Sequence, residues 1–91
     1  MPATVLVPGM LRADAGGATE LSVSASSVRE ALAEIEREHP ALYRRLCDET
    51  GRVRPHLGVF VNTTHVRERD GIDTPLAPGD VITILPAVSG G

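Results

Sequence analysis

An α+β fold, with a mixed sheet of four to five strands packed on one main helix, is predicted by three features of this 91-residue chain. Stretches that alternate apolar and polar residues lie near both ends and read as strands. Between them sits a single helix with a strong start signal and one apolar stripe. Turn residues at Asn62 to His65, Asp70-Gly71 and Pro78-Gly79-Asp80 punctuate the second half.

The elements follow in order. In ATVLVP, residues 3–8, Val5 and Val7 face one way and Thr4 and Leu6 the other. Residues 9–17 carry three glycines with little periodicity and read as a loop. In ATELSVS, residues 18–24, Leu21 and Val23 share one face, so the first two strands form an antiparallel hairpin. Ser27 and Glu30 then stand at capping-box spacing: the serine hydroxyl accepts the Glu30 amide, and the glutamate reaches back to the serine amide. Val28, Ala31, Leu32 and Ile35 follow at helical spacing and make one buried stripe. Pro40 ends this helix near His39, and Leu42 and Leu46 mark a second short helix over 41–47. Residues 48–56 read as loop and 57–62 as a strand, with a short return at Val66-Arg67. Residues 80–86, DVITILP, make the last strand. With the first and last strands adjacent and the helix across one sheet face, the order β-β-α-β-(β)-β gives a β-grasp. Its domain spans 1–86, followed by a flexible tail over 87–91.

Composition narrows the function. The 42 % of apolar residues suffice for a core, which must be aliphatic because Tyr43 and Phe60 are the only aromatic residues of the Phe, Tyr and Trp types. A net charge of −3 without a basic patch argues against nucleic acid. All nine fixed side-chain cations are arginine. A single cysteine, Cys47, excludes an intrachain disulfide and a four-cysteine iron–sulfur centre. No segment reaches the length of a membrane span and no secretory signal is evident, so a cytoplasmic location is expected. His39, His56 and His65 have no partner at metal-ligand spacing and read as surface residues. Cys47 reads as a small apolar residue on a short helix rather than as a nucleophile. No phosphate-binding glycine frame is present.

What remains is the end, ILPAVSGG. Extended, Pro86 to Gly91 span about 20 Å, enough to carry the Gly91 carboxylate into another protein's cleft. Gly90 and Gly91 have no side chains to obstruct a narrow channel. A carboxylate is a poor electrophile. Adenylation makes it a mixed anhydride that a sulfur nucleophile can attack, giving a thiocarboxylate. A glycine doublet alone is weak, and an incidental end is its plain alternative.

Three features in sequence carry a resemblance: VFVNTTHV at 59–66, the TPL-x-x-GD turn within 74–80, and the ILP-x-V-x-GG terminus at 84–91. Together with LRADAGGATEL at 11–21, they resemble the MoaD/ThiS ubiquitin-like sulfur carriers over nearly the whole chain. The ending looks most like the CysO-type branch, which donates sulfur for cysteine or sulfur-containing natural products. Molybdopterin synthase small subunits, which tend to carry two prolines there, are the alternative; here Ala87 follows Pro86. A ubiquitin-like protein modifier is another alternative, and a passive binding module a third. The resemblance implies a carrier, not an enzyme, with no bound cofactor. Its Gly91 would be adenylated by an E1-like enzyme consuming ATP, and a downstream synthase would accept the sulfur. The strand alternation places Phe60 and Leu85 on the sheet face away from the helix. With Pro86 and Val88 they would form an apolar partner-binding patch leading to the tail. Neither nucleic acid nor membrane is an expected partner.

Overall fold

The computed structural model describes residues 2–86. The predicted tail, including Val88, Gly90 and Gly91, lies outside the described residues. Strand β1 spans Ala3–Leu6, β2 Glu20–Val23, β3 Leu57–Val61, β4 Thr64–His65 and β5 Val81–Pro86. Helix α1 spans Val28–Glu38 and α2 Pro40–Leu46. The sheet order is β2-β1-β5-β3-β4. β1 pairs β5 in parallel, and the other neighbours pair antiparallel. The first and last strands are therefore adjacent at the sheet centre, with α1 across one face, as the alternation predicts.

The core lies between α1 and that face. Val28, Ala31, Leu32 and Ile35 from α1 are buried, as are Ala3, Val5, Val59, Val61, Ile82 and Ile84 from the strands. Leu42 and Leu46 close the upper end. The core is aliphatic, with Tyr43 at its margin.

Five local expectations are corrected. Residues 9–15 form a 3-10 helix, Gly9–Ala15, which buries Leu11 and Ala15 and ends at Gly16 in the left-handed region (φ 67°). Its apolar residues Met10, Leu11, Ala13 and Ala15 do not settle on one helical or strand period. The capping box is shifted by one residue on one side: Ser27 Oγ accepts the Glu30 amide at 3.1 Å, but Glu30 Oε1 accepts from the Ser26 amide (3.0 Å) and hydroxyl (2.8 Å). Pro40 ends α1 near His39 as expected, and it also opens α2, which spans Pro40–Leu46 rather than 41–47 and leaves Cys47 as its C-cap; the missing N–H costs nothing at that first turn. The return strand is Thr64–His65, not Val66-Arg67, because the turn is tighter than expected. Asn62 adopts φ 55°, its Nδ2 donates to Asp80 Oδ1 and its Oδ1 accepts the Val81 amide, both at 3.1 Å. Asparagine tolerates this left-handed backbone better than most residues. Val66–Glu68 and Gly71–Asp73 are then short 3-10 turns.

Candidate functional site

The sheet face opposite α1 carries Phe60 and Leu85 of the expected patch, while Val88 lies outside the described residues. One register row crosses all five strands: Glu20 lies beside Leu6, Leu6 beside Thr83, Thr83 beside Phe60, and Phe60 beside His65. Two residues along β5 on the same face, Leu85 lies beside Gly58, whereas Pro86 lies beside buried Leu57, in phase with Ile82 and Ile84 on the helix side, so it does not share the outer face expected for it. Ile82 and Ile84 are buried while Leu85 is 46 % exposed, so the alternation predicted for β5 holds and places Leu85 outward. Pro86 is exposed at the strand end.

Phe60 points outward as predicted, yet it is half-buried rather than exposed. His65 packs against it edge-on, with ring centroids 4.9 Å apart and planes at 66°. Gly58 makes this possible. A Cβ there would stand 3.3 Å from Phe60 Cε1 and 3.4 Å from His65 Nε2. The His65 ring is fixed by its Nδ1, which accepts the Arg67 amide at 3.0 Å.

Sequence reasoning set Leu6 on the side opposite Val5 and Val7 but did not assign it to the patch, and it missed His65. Leu6 is 37 % exposed and sits one strand from β5. The signal for it was the parallel pairing of the first and last strands. His65 needed the true register of β4.

The interior offers no ligand cavity of useful size: an apolar void of about 10 Å³ lies between Val5, Leu32, Ile35, Val59 and Ile84. Among the described residues no group of three or more His, Cys, Asp or Glu side chains could hold a metal, and no helix is long and apolar enough to cross a membrane. Cys47 is buried, and burial pushes its thiol up, which disfavours the reactive thiolate. The shifted carboxyls serve the scaffold. Asp80 is held low by the Ala77 amide and then by the Asn62 side chain, and Asp73 by Arg29, whose Nε lies 2.8 Å away.

A central strand flanked by β1 and β3, one crossing helix and an apolar outer face together define a ubiquitin-like β-grasp domain. Comparisons with known proteins narrow the class. The family model described as the ThiS family matches residues 5–91, and the chain belongs to that family. It is 34 % identical to the sulfur carrier protein CysO of Mycobacterium tuberculosis, with the whole of both chains covered. It is 36 % identical over 66 residues to small archaeal modifier protein 3 of Haloferax volcanii, covering 72 % of this chain and 71 % of that one. Among solved structures, the Amycolatopsis orientalis BexX/CysO complex matches with TM-score 0.87 and 34 % identity, covering 98 % of this chain and 99 % of that one.

Proposed function

We propose that this chain is a sulfur carrier protein of the CysO type, acting in the cytoplasm as the substrate of other enzymes. The observation that carries the reading is the family match, which runs through to Gly91, joined to the full-length likeness to CysO. An E1-like partner binds ATP. The Gly91 carboxylate attacks the α-phosphorus, pyrophosphate leaves, and an acyl-adenylate forms. A hydrosulfide-level sulfur nucleophile then attacks the acyl carbon and expels AMP, leaving a thiocarboxylate. Its soft anionic sulfur is passed to a downstream synthase, for cysteine or a sulfur-containing metabolite. The carrier itself needs no bound cofactor; ATP is consumed by the partner.

In this scheme Phe60, Leu6, Leu85 and Pro86 dock the carrier, so that Val88, Gly90 and Gly91 enter the partner's cleft. An apolar patch continuous with the strand that leads to the reacting end supports this assignment. That CysO of A. orientalis was crystallised in complex with BexX supports recognition by a partner protein. The likeness to an archaeal modifier protein favours conjugation to target amines as the second reading.

The test is intact mass spectrometry of the chain with an E1-like enzyme, ATP and sulfide. A mass increase equal to sulfur replacing one oxygen is expected, and none when Gly91 is deleted. An unchanged mass, with conjugates of higher mass in its place, would favour the modifier reading.

A further inference from the structure

Among the described residues, strand β2 forms one edge of the sheet, with no strand beyond it. Its pairing phase is fixed by two bonds. The Val7 amide donates to Thr19 O at 2.9 Å, so the odd-numbered residues of β1 and their partners Leu21 and Val23 share the inner ladder. Glu20 and Ser22 therefore turn their N–H and C=O groups away from the sheet. Ser24, next in the same phase, donates its amide outward to Glu34 Oε1 at 3.1 Å, so the carboxylate closes that end of the edge.

The remaining edge is short and carries one charge, Glu20, but lacks the other usual guards. Glu20–Val23 holds no proline and no lysine or arginine. Alongside it runs a groove of about 260 Å³ between β2 and α1. Leu21 and Ile35 give it an apolar floor, and Glu34 and Glu38 line it with carboxylates; Glu20, one residue before Leu21, sets a further carboxylate at the same edge on the opposite sheet face. Arg37 reaches Glu38 at 3.9 Å from the flank, and His39 stands at the upper end. The groove opens on the helix side of the sheet, and β1 separates it from β5.

We propose that this edge accepts an extended, arginine- or lysine-bearing segment of a partner protein as a sixth strand. Glu20 and Ser22 supply the backbone hydrogen bonds. An apolar side chain of the segment rests on Leu21 and Ile35, and its cations face the carboxylates. A second copy of this chain is disfavoured as occupant, because edge-to-edge pairing of β2 brings like-charged Glu20 and Glu34 side chains together. The site is remote from the Phe60–Leu85 face, so a partner held here leaves the face and the end of β5 free for an enzyme.

The test uses the full chain and a capped peptide alternating valine and arginine, followed by amide NMR and fluorescence anisotropy. Binding is expected to move the Glu20 and Ser22 amides and to slow exchange of the Ser22 proton. The double variant Glu20→Gln/Glu38→Gln should bind about fivefold more weakly, and raised salt should act in the same direction. Two further peptides leave the protein untouched: one N-methylated on its valines, the other on its arginines. Alternate residues of a strand face alternate sides, so one of the two should lose binding about tenfold or more while the other keeps it. Equal binding by both, equal binding of a glutamate-for-arginine peptide, or shifts confined to Phe60 and Leu85 would overturn the proposal. So would concentration-dependent dimerisation through β2 in the absence of peptide.

Discussion

Gly58 decides the shape of the outer face. Substituting alanine keeps an allowed backbone but places a methyl against two rings, at 3.3 and 3.4 Å. Phe60 is only half-buried and its ring can turn aside, so Gly58→Ala should cost about 1 kcal/mol or less in a denaturant melt. The displaced Phe60 should show instead as a higher KM for thiocarboxylation. Leu85→Asp makes a sharper contrast. Its side chain is 46 % exposed, so stability should move by no more than about 0.5 kcal/mol, while partner affinity drops about tenfold or more. Loss of folding in that variant would show that Leu85 belongs to the core. The outward phase of Phe60 and Leu85 was legible from simple alternation. The half-burial of Phe60 was not, because it depends on a missing side chain two residues away and on a histidine from another strand.

The elements differ in how openly their residues announce them. Helix α1 carried both its start signal and its stripe, and the two agree. Ser27→Ala should destabilise the fold by about 1 kcal/mol, read from the denaturation midpoint, since it frees the Glu30 amide. The same substitution at Ser26 removes only a hydroxyl bond to Glu30, leaving the amide bond in place, and should cost less. The 3-10 segment Gly9–Ala15 was hidden because its stability comes from tertiary contact. Leu11 and Ala15 are buried, and Arg12 Nε donates to Val7 O at 3.0 Å. The two-residue strand β4 was misplaced for a different reason. Its register depends on Asn62 taking a left-handed conformation tied to Asp80, eighteen residues away in sequence.

For the molecule as a whole, stability rests on one aliphatic core. Ile35, 2 % exposed, faces the sheet from α1, and Ile35→Ala should cost about 2–5 kcal/mol. In so small a domain that loss should leave much of the chain unfolded by circular dichroism. Acid acts on the whole surface at once. Glu30, Asp48, Asp73 and Asp80 all titrate below their ordinary values: Glu30 through the Ser26 amide, Asp48 through the Thr50 hydroxyl, Asp73 through Arg29, and Asp80 through the Ala77 amide. Each is bonded in the folded chain as the anion, so its contribution is present above the unfolded value of about 4. It is lost as pH falls through the lowered folded value. Melting temperature should hold steady near neutrality and drop in that acidic window. Asp80→Asn should flatten the drop; an unchanged slope would show that its carboxylate makes no net contribution. The layering was readable because hydrophobic phase marks the buried face of α1 and of each strand; the strand order β2-β1-β5-β3-β4 depends on pairings that phase alone does not specify.

The central position of β5 has a mechanical consequence. Its two neighbours hold it from both sides, β1 over residues 81–83 and β3 over residues 82–86. A pull on its end at Pro86 runs along the strand axis and loads both ladders in shear, with many bonds sharing the tension. A strand at the sheet edge pulled sideways would instead part bond by bond. Single-molecule extension from that end should give a higher rupture force than the same pull applied across β2. An enzyme that draws the end of the chain into its cleft can therefore tug hard on it without unravelling the domain it holds.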